Sequence, residues 1–370
     1  MRILVLSPGY PLDGELYGHA VAEQIAVLAE QHELQVQSLS SRPGLGSGWG
    51  RQPSGFSRGV PVFGPPPGGR AARLAGIWAR HRARGFDLVW GLWLDRSGEA
   101  ARLLAAALNI PWVGSVMGGE LADMPSLRYG GARSPWARRR LQASLRSAAA
   151  VTVGSEWLAD RAETLCPAAR PWVTPFGVRA DHVRAPAMPW RPGQPLKLAT
   201  VTSSTPVKGA GRVFGALAQI CREGVQANLT VYTLDAAGGR AQLREQAQAH
   251  GVGSFVTFSP PLAEPELATA LADASVLVCG SAHESQGLAM IEAALAGLWV
   301  VGPEVGVMAD LQALGVAQQT EDARPTTLAQ AILQQAVLRP GQAQGVAEAY
   351  NRSACAARFD AVFRKVGRRA

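Results

Sequence analysis

Two glutamates stand eight positions apart in a stretch that reads as strand, loop and helix. Residues 276–279 form an apolar run typical of a buried parallel strand, and a helix follows that ends at Gly297. Glu284 falls in the loop and Glu292 about one and a half turns into the helix. Backbone amides at the start of that helix would face an anion, and a phosphate suits the positive end of the helix dipole. The residues that carry these amides are Ser285, Gln286, Gly287 and Leu288.

Carboxylates on both flanks of such a site would repel a bare phosphate. We therefore expect Glu284 and Glu292 to accept hydrogen bonds from hydroxyl groups attached to the phosphate. A nucleoside diphosphate sugar offers hydroxyls on both sides, on its ribose and on its sugar. Acids are also common in strand–loop–helix units without any such role. From the spacing alone, a loop charge at Glu284 and a solvated helix residue at Glu292 are an equal alternative.

A lysine follows another predicted strand. Residues 196–201 are apolar and predict a strand, residues 202–209 predict a loop, and a helix extends from there to Glu223. Lys208 stands at the start of this helix, where the dipole disfavours a cation. This position favours anion binding by Lys208 over a plain surface charge.

The two segments resemble the retaining glycosyltransferases of family 4, also described as glycosyl transferases group 1. Residues 281–301 are similar to the Glu-x7-Glu signature region and keep both acids and the glycine at 287. Gln286 stands where the family usually has an aromatic residue, and Trp299 where it usually has proline. Lys208-Gly209 matches the end of the family pattern Gly-Arg-x4-Lys-Gly.

The resemblance implies the α/β GT-B fold, in which two Rossmann-like domains have parallel sheets facing an interdomain cleft. It implies a metal-independent enzyme with no cofactor that transfers a sugar from a UDP-, GDP- or ADP-sugar to a sugar, lipid or polysaccharide acceptor. Lys208 and Glu284 would be catalytic, with Glu284 on the sugar hydroxyls and Glu292 on the ribose. The residues expected to bind the donor are Gly18, Ser203, Lys208, Ser285, Gln286, Gly287, Leu288 and Glu292.

Besides Gln286 and Trp299, three further positions depart from the family pattern. Ser203 stands where the family has its arginine, Met117 where it often has histidine, and Gly18 lacks the second glycine of a Gly-Gly pair. These losses favour an alternative, a noncatalytic sugar-nucleotide-binding subunit, whereas the intact acids and lysine oppose it. A GT-B-type epimerase or a phosphorylase is a further alternative. Glu120 and Asp123 could orient an acceptor hydroxyl, or could equally serve as a helix cap or a solvated loop charge.

The length of 370 residues predicts two domains. Residues 185–195 contain four prolines and indicate a linker. We therefore predict an acceptor-binding domain over residues 1–186, a nucleotide-sugar-binding domain over 187–350, and a C-terminal helix in 351–370 that packs back on the first domain. Residues 40–69, rich in Gly, Pro and Ser, predict a mobile loop that closes over an acceptor, or a disordered insertion.

Composition indicates a soluble globular protein, with 47% hydrophobic and 17% charged residues. The four cysteines are far apart and lack metal-ligand spacing, which favours reduced thiols. No secretory signal or membrane span is evident, and no Asp-x-Asp motif indicates a catalytic metal. These features predict a cytoplasmic protein.

The net charge of +8 is concentrated in the first half of the chain. Residues 70–84 predict a basic amphipathic helix containing Trp78, and Arg133 and residues 138–140 form a basic cluster near Trp136. Such helices contact anionic membranes or simply expose solvated arginines. We therefore expect an anionic acceptor and peripheral contact with the inner face of a membrane. Nucleic acid is a weaker alternative, since no nucleic-acid motif accompanies the arginines.

Overall fold

The fold was derived from a computed structural model that describes residues 1–12, 18–39, 54–64, 69–180 and 183–367. The chain divides into two compact units. The first contains Met1–Gly177 together with Arg352–Ala370, and the second contains Val178–Asn351. Most of the glycine-rich loop predicted over residues 40–69 lies outside the described residues.

The first unit is built on an eight-stranded sheet in the order β3-β4-β2-β1-β5-β6-β7-β8. All its pairs are parallel except β3 with β4, which are antiparallel. Strands β5 and β6 are buried at every residue, as expected where helices cover both faces of a parallel sheet. The strands are β1 (Arg2–Ser7), β2 (Glu33–Ser38), β3 (Gly55–Ser57), β4 (Val60–Phe63), β5 (Leu88–Leu92), β6 (Trp112–Val116), β7 (Ala150–Val153) and β8 (Trp172–Val173).

The C-terminal helix belongs to the first unit. Its residues Phe359 and Phe363 are fully buried, and each ring centroid lies 5.1 Å from that of Trp90 on β5. Aromatic pairs at this distance add to the stabilisation that burial provides. The helices of this unit are α1 (His19–Ala29), α2 (Gly69–Arg84), α3 (Arg96–Leu108), α4 (Pro135–Ser147), α5 (Glu156–Leu165) and the last helix of the chain, α13 (Arg352–Gly367).

The second unit is built on a six-stranded, fully parallel sheet in the order β11-β10-β9-β12-β13-β14. Phe214 and Leu217 on α6 are buried against this sheet, together with Ile332 on α11. The strands are β9 (Leu196–Val201), β10 (Ala227–Tyr232), β11 (Val256–Phe258), β12 (Val276–Val278), β13 (Trp299–Pro303) and β14 (Ala317–Thr320). The helices are α6 (Ala210–Arg222), α7 (Ala237–Ala249), α8 (Glu264–Leu271), α9 (Leu288–Leu295), α10 (Met308–Ala313), α11 (Pro325–Ala336) and α12 (Gln344–Tyr350).

The division between the units lies nine residues before the boundary predicted at 186/187. The amide of Val178 donates to the Tyr350 carbonyl at 2.9 Å, and that of Arg184 donates to Leu295 at 2.8 Å. These backbone bonds tie Val178 and Arg184 to the second unit. Proline content marked the linker but could not show which unit bonds to it.

Each sheet has one place where the strand order reverses. In the first unit it lies between β1 and β5, and in the second between β9 and β12. Open parallel sheets bind ligands at such places, outside the carboxyl ends of the strands. In the described part of the chain, no helix has the length and apolar character needed to cross a membrane.

Candidate functional site

The candidate site lies where β9 and β12 end side by side in the second unit. Two loops meet there, residues 202–209 after β9 and residues 279–287 after β12. The amide of Ala282 donates to the Val207 carbonyl at 2.8 Å. Gly209 has a left-handed backbone, and a Cβ at that position would collide with the carbonyl oxygen of Gly280. The loops therefore pack backbone against backbone, which requires glycine at this contact.

Lys208 and Glu284 form an ion pair across the two loops. The Lys208 Nζ lies 2.7 Å from Glu284 Oε1, and the same oxygen accepts a hydrogen bond from Ser281 Oγ at 2.7 Å. The Glu284 side chain is mostly buried, whereas the Lys208 side chain is about one-third exposed. The second carboxylate oxygen, Oε2, makes no hydrogen bond with the described residues and can accept from a ligand hydroxyl.

Backbone amides at the start of α9 are available to an anion. Gly287 precedes the helix with a left-handed φ of 92°. Among the described residues, the N–H groups of Gly287, Leu288 and Ala289 have no hydrogen-bond partner. Because these donors carry the positive end of the helix dipole, they form an anion-binding position. The amides expected from the sequence at Ser285 and Gln286 belong to residues that already make other contacts.

The loop after β13, which contains Gly306, packs against the loop that leads into α9. The carbonyl of Gln286, a buried residue, accepts from the amide of Val307 at 2.8 Å. Gly306 has a φ of 57°, and a Cβ there would collide with the Gln286 carbonyl oxygen. The loop after β13 therefore fixes the position of the loop that carries Glu284.

The loop after β9 holds four hydroxyl residues, Thr202 to Thr205, and one of them, Ser203, stands at the position of the family's arginine. The Ser203 Oγ accepts from the Thr205 amide at 3.3 Å, and the Ser204 amide donates to the Asp235 carboxylate at 2.5 Å. Thr202 is buried, and its Oγ1 makes no hydrogen bond with the described residues. An unsatisfied buried hydroxyl is unfavourable, so a ligand that reaches it gains a hydrogen bond at little cost.

The remaining predicted donor-binding residues are more widely placed. Glu292 is the fifth residue of α9, partly exposed, and already makes contacts in the protein. Gly18 lies in the first unit, where it precedes α1 with a left-handed φ of 75° and packs against Pro11. The structure thus brings Lys208, Glu284 and the Gly287–Leu288 amides to one sheet edge and leaves Gly18 in the other unit.

Cys279 is the first residue after β12, in the loop that carries Glu284. It is buried, and burial raises the pKa of its thiol to about 11, with the Glu284 charge contributing in the same direction. A thiol with this pKa stays protonated near neutral pH and is a poor nucleophile. In the described part of the chain, no group of three or more His, Cys, Asp or Glu side chains is arranged to hold a metal ion.

The two acids considered for the acceptor are both engaged by the protein. Glu120 is buried and accepts from the amides of Leu94, Met117 and Gly118 at 3.1, 3.1 and 2.6 Å. Asp123 pairs with Arg138 at 2.6 Å. The sequence left open whether these acids orient an acceptor hydroxyl or serve the protein structure. Their contacts fit a structural role for both.

Sequence reasoning missed Ser281 and Asp235. Ser281 orients Glu284 through one hydroxyl, and Asp235 fixes the loop before Lys208. A serine three residues before a site glutamate could have indicated Ser281. No pattern connects Asp235 with Ser204, because the two residues are 31 positions apart and on different strand ends.

Family models match both halves of the chain. Residues 189–336 match the model described as glycosyl transferases group 1, and residues 17–177 match the glycosyl transferase 4-like domain. The chain belongs to the group 1 glycosyltransferases. The group 1 model thus covers most of the second unit, which carries the Lys208–Glu284 ion pair and the amides at the start of α9. A comparison with curated proteins found no match.

Solved structures show that this glycosyltransferase has the GT-B fold. Sucrose-phosphate synthase from Thermosynechococcus elongatus is similar over 100% of both chains, with a TM-score of 0.77 and 17% identity. Anabaena HepE in complex with UDP and glucose has a TM-score of 0.72 and 18% identity, over 99% of this chain and 100% of its own. WaaG, a glycosyltransferase involved in lipopolysaccharide biosynthesis, has a TM-score of 0.61 and 16% identity, over 99% and 98%.

Proposed function

We propose that this glycosyltransferase moves a sugar from a UDP-, GDP- or ADP-sugar to an acceptor with retention of configuration and without a metal or a cofactor. The observation that supports this proposal is the Lys208–Glu284 ion pair at the sheet edge of the second unit. A cation and an acid side by side, next to unpartnered helix amides, suit a ligand that is anionic at one end and rich in hydroxyls at the other.

The donor diphosphate is assigned to the cationic side of the site. The Lys208 ammonium and the amides of Gly287 and Leu288 offer donors to its oxygens, with the adjoining segment of Ser285 and Gln286 shaping the turn. Ser203 adds a hydroxyl where a second cation is absent. These groups stabilise negative charge that grows on the leaving phosphate, and such preorganised donors supply a large share of catalysis.

The donor hydroxyls are assigned to the two glutamates. Glu284 is held by Lys208 and Ser281 through one carboxylate oxygen and keeps the other for the transferred sugar. Glu292, on the second turn of α9, is assigned to the ribose. A hydrogen bond that a carboxylate makes to a sugar hydroxyl fixes the orientation of the anomeric carbon relative to the diphosphate.

Transfer proceeds by attack on the face from which the diphosphate leaves. The bond between the anomeric carbon and the phosphate oxygen breaks, and its electron pair stays on the diphosphate. The acceptor oxygen bonds to the same carbon, and the acceptor proton passes to the departing phosphate oxygen. This route uses no protein nucleophile, and the Cys279 thiol, with its pKa raised to about 11 by burial, is not suited to be one.

The proposal also includes an acceptor with anionic character. We further propose that the protein is cytoplasmic and makes peripheral contact with the inner face of an anionic membrane. Two tryptophans on helices of the first unit support it, since the side chain of Trp136 is 67% exposed and that of Trp78 is 46% exposed. Arg139 and Arg82 are exposed on the same two helices. Tryptophan and arginine together favour the interface of an anionic bilayer. Ion pairs reduce the basic cluster, because Arg138 pairs with Asp123 and Arg140 with Glu99.

Nucleotide binding and donor hydrolysis test the proposal together. Purified protein should gain thermal stability with UDP, GDP or ADP and with the matching nucleotide sugar. It should also release sugar slowly from that donor, and Lys208→Ala and Glu284→Ala should each abolish the release. No shift with any nucleotide would contradict donor binding. Binding without release would instead favour a noncatalytic sugar-nucleotide-binding subunit.

A further inference from the structure

Trp93 follows β5 at the place where the strand order of the first unit reverses. Strand β5 pairs with β1 on one side and with β6 on the other. Its last residue, Leu92, lies opposite Ser115, so the next residue stands at the carboxyl edge of three adjacent strands. This edge, beside the reversal between β1 and β5, is where an open parallel sheet binds a ligand.

The backbone of Trp93 is held in an unfavourable conformation. Its φ is 59°, in the left-handed region that a bulky residue rarely adopts. The carbonyl of Trp93 accepts from Ser97 Oγ at 2.8 Å and from the Gly98 amide at 3.2 Å. The amide of Leu94 donates to Glu120 Oε1 at 3.1 Å. Strain of this kind persists only where neighbouring contacts impose it, and it is frequent at ligand-binding positions.

The buried acid Glu120 ties the loop of Trp93 to the loop after β6. Besides Leu94, it accepts from the amides of Met117 and Gly118, so one carboxylate bridges two strand ends. The edge of the indole lies over Gly118, where a Cβ would stand 3.4 Å from Trp93 Nε1. The indole is therefore fixed at one edge.

The contact with Gly118 leaves the indole only partly covered. Trp93 is partly exposed, and its Nε1 makes no hydrogen bond with the described residues. Other tryptophans in the described part of the chain use this donor, and four of their indole N–H groups bond to protein oxygens at 2.7 to 3.1 Å. These belong to Trp90, Trp112, Trp190 and Trp299. A rigid aromatic face with a free polar donor suits a partner that is apolar on its face and polar at its rim.

We propose that Trp93 binds the acceptor and selects a saccharide. A pyranose ring has an apolar face of C–H groups and a rim of hydroxyls, so it can stack on the indole while one hydroxyl accepts from Nε1. An alkyl chain would use the face and leave the N–H unpaired in a desolvated contact, which is unfavourable. This inference rests on the proposed transfer reaction and assigns its acceptor side.

The test compares soluble acceptors in the enzyme that turns over its preferred nucleotide sugar. The probes are the methyl glycosides of glucose, galactose, N-acetylglucosamine and glucuronic acid, the last of which is an anionic saccharide, with dodecyl phosphate as the lipid-like probe. At least one glycoside should accelerate nucleotide release. Trp93→Ala should raise the KM for that glycoside roughly tenfold, and Trp93→Phe, which keeps a ring without the donor, roughly threefold.

Donor-side measurements separate this inference from the proposed function. Both Trp93 variants should keep nucleotide affinity and acceptor-independent donor hydrolysis, whereas Trp172→Ala, a change at a partly exposed tryptophan on β8, should leave all values unchanged. Trp93→Phe retains an aromatic ring and carries the test if the alanine variant unfolds. Acceleration by dodecyl phosphate alone, by no probe, or with an unchanged KM in the variants would overturn the assignment while leaving donor binding intact.

Discussion

The Lys208 ammonium lies 2.7 Å from a Glu284 carboxylate oxygen, so the cation assigned to the diphosphate and the acid assigned to the sugar are partners before any ligand binds. The pair is partly buried, with the lysine side chain 36% and the glutamate side chain 16% exposed. Each charge offsets the desolvation of the other. Donor binding then adds an anionic diphosphate beside a pair that has no net charge. The Lys208 ammonium attracts this group and the Glu284 carboxylate repels it, so the two side chains should have opposite effects on nucleotide affinity.

Removing Lys208 should damage nucleotide binding more than removing Glu284. In Lys208→Ala the Glu284 carboxylate faces the diphosphate without its cation, and affinity for the preferred nucleoside diphosphate should fall by about tenfold or more. In Glu284→Ala the ammonium is released to the phosphate, so affinity should hold or rise, while turnover should fall on the order of a hundredfold.

The double variant distinguishes this coupling from two separate contacts. Lys208→Ala/Glu284→Ala should bind the nucleoside diphosphate more tightly than Lys208→Ala alone, because the repulsive carboxylate is also gone. Isothermal titration calorimetry measures the affinity for the nucleoside diphosphate in the wild type, the two single variants and the double variant. Equal and additive losses of affinity in both single variants would contradict the coupling.

Thr202→Val should stabilise the ligand-free protein and weaken its binding of the donor. The buried hydroxyl lacks a protein partner, and an unsatisfied buried hydroxyl costs about 1–3 kcal/mol, which the isosteric valine avoids. We expect a higher unfolding temperature and a roughly fivefold lower affinity for the nucleotide sugar. Thr202→Ser keeps the hydroxyl and serves as the control. Lower stability with unchanged affinity would mean that the hydroxyl serves the folded protein rather than the ligand.

Gly306→Ala should disturb the donor site, and Gly315→Ala provides a matched control. Both glycines have a left-handed φ, 57° and 73°, so both substitutions cost about 1 kcal/mol in backbone strain. Only at position 306 does the new Cβ collide, with the carbonyl oxygen of Gln286, whereas nothing lies within 4 Å at position 315. Thermal unfolding and nucleotide titration should show a larger loss of stability and a loss of affinity in Gly306→Ala alone. Equal behaviour of the two variants would show that the glycine loop does not support the amides of α9.

Much of the sheet structure was predictable because parallel strands buried on both faces are continuous apolar runs. The strand predicted over residues 196–201 coincides with β9, and the apolar stretch 150–153 in the sequence coincides with β7. The stretch 2–6 ends one residue before β1 does, and the stretch 87–91 is displaced from β5 by one residue at both ends. Within the glycine-rich segment 40–69 the sequence allows one short strand, Val60–Phe63, and the structure contains it, whereas its antiparallel partner Gly55–Ser57 was not predicted. Three residues with one apolar side chain give too little pattern to indicate a strand.

The candidate site was predictable in its residue types but not in its contacts. The resemblance indicated Lys208 and Glu284, yet no periodicity relates two residues 76 positions apart, so their ion pair appears only in the fold. The isolation of the Thr202 hydroxyl depends on what surrounds it, which sequence does not encode locally. Likewise, the sequence around Trp93 does not indicate a binding role. The left-handed backbone of this residue accompanies hydrogen bonds from Ser97 to its carbonyl and from Leu94 to Glu120, which is distant in sequence.

Membrane contact through the exposed tryptophans should depend on Trp136 and on anionic lipid. The protein should sediment with phosphatidylglycerol vesicles and not with phosphatidylcholine vesicles, and salt should weaken the binding because surface charges are screened. Trp136→Ala should reduce the bound fraction severalfold, whereas Phe255→Ala, an exposed aromatic change in the second unit, should not. Equal binding of both variants would assign the contact to another surface.

Stability above neutral pH should depend on Cys279. Burial raises the pKa of its thiol from 9.0 to about 11, so the unfolded chain loses the proton first as the pH rises. The stabilising contribution of the protonated thiol is complete below pH 9 and is lost between 9 and 11.

At pH 10 the loss of folding stability from this thiol relative to pH 8 should be about 1 kcal/mol, and Cys279→Ala should remove that share of the pH dependence. Denaturant unfolding at the two pH values measures it. Cys221→Ala serves for comparison and should remove a smaller share, because burial raises the pKa of this partly buried thiol to a lesser extent. A Cys279→Ala protein with the same loss of stability between pH 8 and pH 10 as the wild type would show that this thiol does not stay protonated in the folded protein.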